Sequence, residues 1–122
     1  MSPRPTVTVL VNTYNHERFI AQALSSVLEQ DFPTDRLETI VVDDGSTDGT
    51  SEIARSYVPR VRYIHKTNGG QVSAFHTGVA EARGQIVAFL DGDDWWAKNK
   101  ISSVVAAFDS NPTISAVGHG YF

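Results

Sequence analysis

Apolar positions along this chain switch repeatedly between a period of two and a period near 3.6, the pattern of strands alternating with helices. Thr6 to Val11 is β-branched and apolar and predicts a first strand. Phe19, Ile20, Ala23, Leu24, Val27 and Leu28 follow, spaced as one buried face of an amphipathic helix. Asn15 is expected to cap that helix, which should end before Pro33. Thr39 to Val42 is almost wholly apolar and predicts a second strand, buried on both faces. A short helix carrying Ile53, Ala54 and Tyr57 comes next and stops at Pro59. Val61 to Ile64 predicts a third strand, and Asn68-Gly69-Gly70 a flexible turn. Val72 to Arg83 predicts a third helix closed by Gly84. Ile86 to Leu90 predicts a fourth strand, Lys100 to Phe108 a fourth helix, and Ile114 to Val117 the start of a fifth strand.

The expected fold class is therefore α/β: a doubly wound, mostly parallel sheet of about five strands with helices on both faces. In such sheets ligands bind outside the carboxyl ends of the strands. Three polar segments fall at those ends: Asn12 to Asn15, Asp43-Asp44-Gly45-Ser46-Thr47-Asp48-Gly49, and Asp91-Gly92-Asp93-Asp94. The topology should bring all three to one edge.

Composition narrows the function classes. With 122 residues, the chain suits one domain. No cysteine is present, which excludes thiolate metal sites and thiol nucleophiles. No apolar run reaches the roughly 20 residues of a membrane span, and no signal-peptide pattern opens the sequence. The expected location is thus cytoplasmic, or the cytoplasmic membrane face for a longer parent. A net charge of −4 disfavours nucleic acid as the main partner. More telling, six of the 14 acids sit in the two short acidic turns. Concentrated like charge needs a cation or hydrogen-bond donors to offset it.

Asp91-Gly92-Asp93-Asp94 is the sharpest feature. Mg²⁺ and Mn²⁺ take oxygen ligands, commonly one or two carboxylates with water and phosphate oxygens. Gly92 lets the backbone approach a ligand or adopt positive φ. The alternative is an acidic surface turn with a helix cap at Asp94. Asp43-Asp44 could accept N–H bonds from a nucleobase or hold a metal; alternatively Asp44 and Ser46 cap the next helix, as Thr47 and Asp48 are expected to do. Tyr14 is a candidate stacking platform or an ordinary packing residue. Of Trp95 and Trp96, at least one should be exposed near the site. His16, His65, His76 and His119 lack metal-ligand spacing, and His76 is a candidate phosphate-side donor or simply a surface histidine. No phosphate-binding loop, dinucleotide fingerprint or nucleophile elbow occurs.

Taken in order, Val9-Leu10-Val11-Asn12-Thr13-Tyr14-Asn15, Val41-Val42-Asp43-Asp44-Gly45-Ser46-Thr47-Asp48-Gly49-Thr50, Asn68-Gly69-Gly70-Gln71, Ala82-Arg83-Gly84 and Phe89-Leu90-Asp91-Gly92-Asp93-Asp94 followed by Trp96 resemble the N-terminal, nucleotide-binding half of the family 2 glycosyltransferases. These are inverting enzymes of the A-type nucleotide-diphosphosugar transferase fold, and the likeness runs from residue 6 to about 110. It implies residues 1–122 as a donor-binding half, with Thr13 and Tyr14 at the base pocket and Asn12 among the donor-binding residues. Asp44 would accept from the base N3–H, Asp91 would face the ribose, and Asp93 would hold Mg²⁺ or Mn²⁺ bridging the diphosphate. The implied partners are a UDP- or TDP-linked sugar and a carbohydrate or other hydroxyl acceptor, and the implied setting is polysaccharide biosynthesis.

Asn12 replaces a common proline, and Phe75-His76 replaces a common Arg-Asn. The family's general base and acceptor site lie beyond residue 122, so no catalytic base is named and this chain alone is expected to bind donor without turnover. The ending in Tyr121-Phe122 fits a fragment of a longer protein, whose open sheet edge invites self-association. Two rival readings stand beside this one: a non-catalytic nucleotide-binding module of the same fold, and a phosphotransferase using an aspartate nucleophile in Asp43-Asp44.

Overall fold

The computed structural model describes residues 6–110, so the fifth strand expected at 114–117 lies outside the described residues. Four strands, β1 (Val7–Thr13), β2 (Leu37–Asp43), β3 (Arg62–His65) and β4 (Ile86–Asp91), alternate with α1 (Ile20–Leu28), α2 (Thr50–Arg55), α3 (Gln71–Glu81) and α4 (Lys100–Ser110). They form a parallel sheet in the order β3-β2-β1-β4. After β1 the chain builds outward through β2 and β3, then returns to place β4 on the other side of β1. That reversal opens a crevice at the carboxyl ends of β1 and β4, the place where doubly wound sheets bind ligands.

Alternation along the strands divides the core. Val7, Val9 and Val11 point to one face and pack with Ile20, Leu24 and Val27 of α1, Ala54 of α2 and Ile101 of α4. Leu10, Ile40 and Val42 point to the other and pack with Ala74 of α3. Helix α3 lies close because Gly78 has no side chain: a Cβ there would stand 3.0 Å from Leu10 Cδ1 and 3.2 Å from Val42 Cγ2. Helix α3 leaves Val72, Phe75 and Val79 exposed, with Phe75 stacked on Phe89 of β4.

β1 and β2 run past the apolar residues that predict them, because parallel pairing continues through Asn12↔Val42 and Thr13↔Asp43. Backbone hydrogen bonding, indifferent to side-chain polarity, thereby carries polar residues to the sheet edge. Helix α1 is not capped by Asn15. Its N-cap is Phe19, without a side-chain cap, and the His16 carbonyl accepts the Phe19 and Ile20 N–H groups. Nor does Gly84 close α3, which ends at Glu81 with Ala82 as C-cap. Gly84 instead lies against β1, where a Cβ would fall 2.5 Å from the Thr8 nitrogen.

A polar network ties the opposite end of the sheet. Buried Glu38 accepts from the Thr8 hydroxyl at 2.8 Å and from both the Arg83 N–H and Nε at 3.0 Å. Burial alone would raise its pKa, but the Arg83 backbone N–H, the Thr8 hydroxyl and the Arg83 guanidinium outweigh it and hold the carboxyl below the ordinary range. A lowered folded-state pKa contributes stability that is complete above the unfolded value and is lost as pH falls through the folded one. Glu38→Gln is therefore expected to cost about 2 kcal/mol at neutral pH and to flatten the acid limb of the stability curve. Urea unfolding at a series of pH values checks this; parallel acid limbs for the two proteins would refute it.

Candidate nucleotide-binding cleft

Asn12, Thr13, Tyr14, Asp44, Asp91 and Asp93, the six residues singled out in the sequence, all line one cleft of about 350 Å³. The strands position them. Asn12 sits opposite Asp91 in the β1–β4 register, and Thr13 sits opposite Asp43 in the β1–β2 register. The two acidic turns, 47 residues apart in sequence (Asp44 and Asp91), thus face a common space. His16, Asn68, Gly70, Gln71 and Ala74 complete the wall.

Asp44 is a clamped acceptor. Its Oδ1 receives Lys66 Nζ at 2.8 Å and the Gly69 N–H at 2.9 Å, and its Oδ2 receives the Gly70 N–H at 2.9 Å. Burial pushes its pKa up, but Lys66 and the two glycine N–H groups overcome that and the net displacement is downward. The carboxylate is charged at neutral pH, and Oδ2 carries a single donor. Asp44 does not cap α2, as the alternative reading had it. The N-cap is Gly49, without a side-chain cap, and it is Asp48, one residue earlier, whose Oδ1 accepts the Thr50 N–H at 2.9 Å. Gly70, at φ 94°, takes a backbone conformation that L side chains rarely adopt, and so delivers the N–H that Asp44 accepts. Asp43 is fully buried and accepts from the Ser46 N–H and the Tyr63 hydroxyl. Its neighbours leave it a structural acceptor with no open face for a nucleophile.

A latch joins the loops after β1 and β2. Asn15, at φ 54°, turns its Oδ1 onto the Thr47 N–H at 2.8 Å, while its own N–H donates to Ser46 Oγ at 2.9 Å. The His16 N–H donates to Thr50 Oγ1 at 2.8 Å, and the Gly49 N–H donates to Glu17 Oε2 at 3.2 Å. Asn15 thus serves as a cap for the neighbouring loop instead of for its own helix.

The acidic turn after β4 is held as closely. Gly92 is buried, and its N–H donates to the Asn12 carbonyl at 2.8 Å. A Cβ on Gly92 would fall 2.5 Å from Thr13 Oγ1 and 2.7 Å from His16 Nδ1. Glycine is needed here for close approach, since positive φ among the described glycines occurs only at Gly45 and Gly70. His16, absent from the residues chosen in the sequence, sits between Thr13 and Asp93. Its Nδ1 lies 3.0 Å from Thr13 Oγ1 and its Nε2 lies 4.0 Å from Asp93 Oδ2. Lys66 was equally hard to single out, because the contact that gives it meaning spans 22 residues.

Trp95 is exposed beside this turn, whereas Trp96 packs on the core and carries Lys100 over its ring at 6.0 Å. Phe75 stacks on Phe89 with centroids 4.7 Å apart, away from the cleft wall, and His76 does not line the cleft either. The suggestion of His76 as a phosphate-side donor therefore finds no support here.

Could the cleft hold a divalent ion? Among the described residues no group of three or more His, Cys, Asp or Glu side chains converges, so an all-protein cage is absent. A Mg²⁺ or Mn²⁺ site of one or two carboxylates completed by ligand phosphates and water needs no such cage. Asp93, half exposed on the cleft wall, and Asp91 beside it fit that donor set. Asn12 Oδ1 is buried without a hydrogen-bond partner on the same wall, an acceptor that the described residues leave unmatched.

The chain is similar in sequence and fold to known proteins. The model of glycosyl transferase family 2 matches residues 8–122. An uncharacterized glycosyltransferase of Nostoc is 34% identical over 117 residues, covering 93% of this chain and 36% of that protein. The crystal structure of Staphylococcus aureus TarS 1-349 with UDP-GlcNAc superposes with a TM-score of 0.82 at 34% identity, over 88% of this chain and 32% of that one. The mannosyltransferase PcManGT of Pyrobaculum calidifontis, solved with GDP-Man and Mn²⁺, gives a TM-score of 0.83 at 35% identity, over 96% of this chain and 36% of that one. The chain thus spans about a third of the length of the Nostoc relative and of both solved neighbours.

Proposed function

Because this chain belongs to glycosyl transferase family 2, we propose that its cleft binds the nucleoside diphosphate of a sugar donor with the help of a divalent metal, for transfer of the sugar to an acceptor hydroxyl with inversion. The convergence of Asp44, Asp91 and Asp93 with the Asn12–Tyr14 segment on one cleft carries this reading. UDP-GlcNAc in the TarS complex and GDP-Man with Mn²⁺ in the PcManGT complex support it.

Each residue has a task that its chemistry suits. Tyr14 offers a half-exposed aromatic face to a flat base, flanked by Thr13. Asp44, fixed by its three donors, accepts a base N–H through Oδ2, which suits the N3–H of uracil or thymine. Asp91 faces the ribose, and Asp93 holds Mg²⁺ or Mn²⁺. When bound, the metal neutralises charge developing on the departing diphosphate. The protein's own part is to pre-orient: a fixed carboxylate needs no reorganisation as the donor binds.

Calorimetric titration with UDP, TDP, GDP and ADP, each with Mn²⁺ and with chelator, tests the proposal. UDP or TDP is expected to bind in a metal-dependent way and to outcompete ADP. Equal, metal-independent binding of all four nucleotides, or binding of none, would overturn it.

A further inference from the structure

We propose that His16 is a positioning residue that links the end of β1 to the Asp93 carboxylate and holds that carboxylate ready for the metal and diphosphate. The inference rests on the donor-binding reading above and deepens it. His16 lies between two groups that face the same space. Thr13 Oγ1 stands 3.0 Å from Nδ1, and Asp93 Oδ2 stands 4.0 Å from Nε2. Only one neutral tautomer serves both neighbours. With the proton on Nε2, the ring points an N–H at an acceptor-only carboxylate and leaves Nδ1 to accept from the threonine hydroxyl. The opposite tautomer would set a lone pair against Asp93.

Two backbone contacts and one close approach to the ring fix the residue in place. The His16 N–H donates to Thr50 Oγ1 at 2.8 Å, which anchors its backbone to the start of α2. Its carbonyl accepts the first N–H groups of α1. Across the ring, Gly92 leaves no space: a Cβ there would stand 2.7 Å from Nδ1. The imidazole is therefore wedged between β1 and the acidic turn, and Asp93 has no other ion-pair partner among the described residues. A 4.0 Å separation is closed by a small rotation of Asp93 or bridged by one water. Groups that orient ligating carboxylates and imidazoles in this way typically change metal affinity by about 10–100-fold when removed.

The test uses the whole chain and two readouts. Ring ¹⁵N chemical shifts of His16, read without nucleotide or metal in buffer alkaline enough to keep the ring neutral, should report the Nε2–H tautomer, and Thr13→Val should release that preference. Calorimetry with UDP should then show His16→Ala weakening binding about 10-fold more in Mn²⁺ than in chelator. His16→Gln, whose amide can accept from Thr13 and donate to Asp93, should recover most of the loss. Equal weakening with and without Mn²⁺, no recovery by glutamine, or an Nδ1-protonated ring would overturn the role of His16. The Nε2-protonated ring in a wild-type chain whose UDP binding ignores Mn²⁺ would instead overturn the donor-binding reading, and the metal-positioning role with it.

Discussion

Asp93→Ala is expected to weaken UDP binding in Mn²⁺ by about 100-fold, or about 2.7 kcal/mol, and to leave the weaker binding in chelator unchanged. The size follows from how little else can replace that carboxylate. Among the described residues no group of three such side chains is placed to hold a metal ion, so of the two carboxylates assigned to the metal only Asp91 would remain. The same substitution should change folding stability by less than about 0.5 kcal/mol, because Asp93 is 54% exposed in its side chain and its 4.0 Å contact with His16 is screened by solvent. Calorimetry with and without chelator, paired with urea unfolding, reads both. Unchanged affinity in Mn²⁺ would remove Asp93 from the metal role, and a large stability loss would make it a structural residue.

For Asp44→Ala the two readouts should move together. Removing a buried carboxylate strands the Lys66 ammonium and the Gly69 and Gly70 N–H groups, at an expected cost of about 3 kcal/mol. That is a large fraction of the stability of an ordinary domain, roughly 5–15 kcal/mol. The loop at 68–70 and the start of α3 should loosen, and UDP affinity should fall in Mn²⁺ and in chelator alike, since base recognition does not pass through the metal. Asp44→Asn keeps an acceptor and should lose less stability while still losing base preference. The lowered pKa of Asp44 adds a sign to the pH dependence. Its stabilising contribution is complete above the unfolded-state value and disappears as pH falls through the folded one, so the penalty of Asp44→Ala should shrink in acid. A penalty that is the same at all pH values would contradict the clamp.

The helix and strand pattern was legible wherever hydrophobic periodicity coincides with pairing. Val7, Val9, Leu10 and Val11, Leu24 and Val27, and Val41 and Val42 are apolar because they are buried, and burial is what the pattern encodes. Legibility fails at the ends of elements. Asn12 and Thr13 belong to β1 through backbone pairing, and Asn15 looks like a helix cap because its side chain does cap backbone N–H groups. Those groups belong to a loop more than 30 residues away, at Thr47. Local chemistry identified the kind of bond, and only the fold could supply the partner.

The chain's own residues determined the alternation of strands and helices, the placement of three polar segments at strand carboxyl ends, and the motif order resembling family 2 glycosyltransferases. Spacing along one chain carries that information because helix and strand periods are local properties. Tertiary structure alone decided which groups meet. Lys66, just past β3, reaches Asp44, just past the adjacent β2, Gly92 admits His16 and Thr13 to the acidic turn, and Gly84 lies on β1 instead of ending a helix. These are contacts between residues 22 to 79 positions apart, as Lys66–Asp44 and Gly92–Thr13 show. Their geometry depends on strand order and helix docking, which no local period encodes.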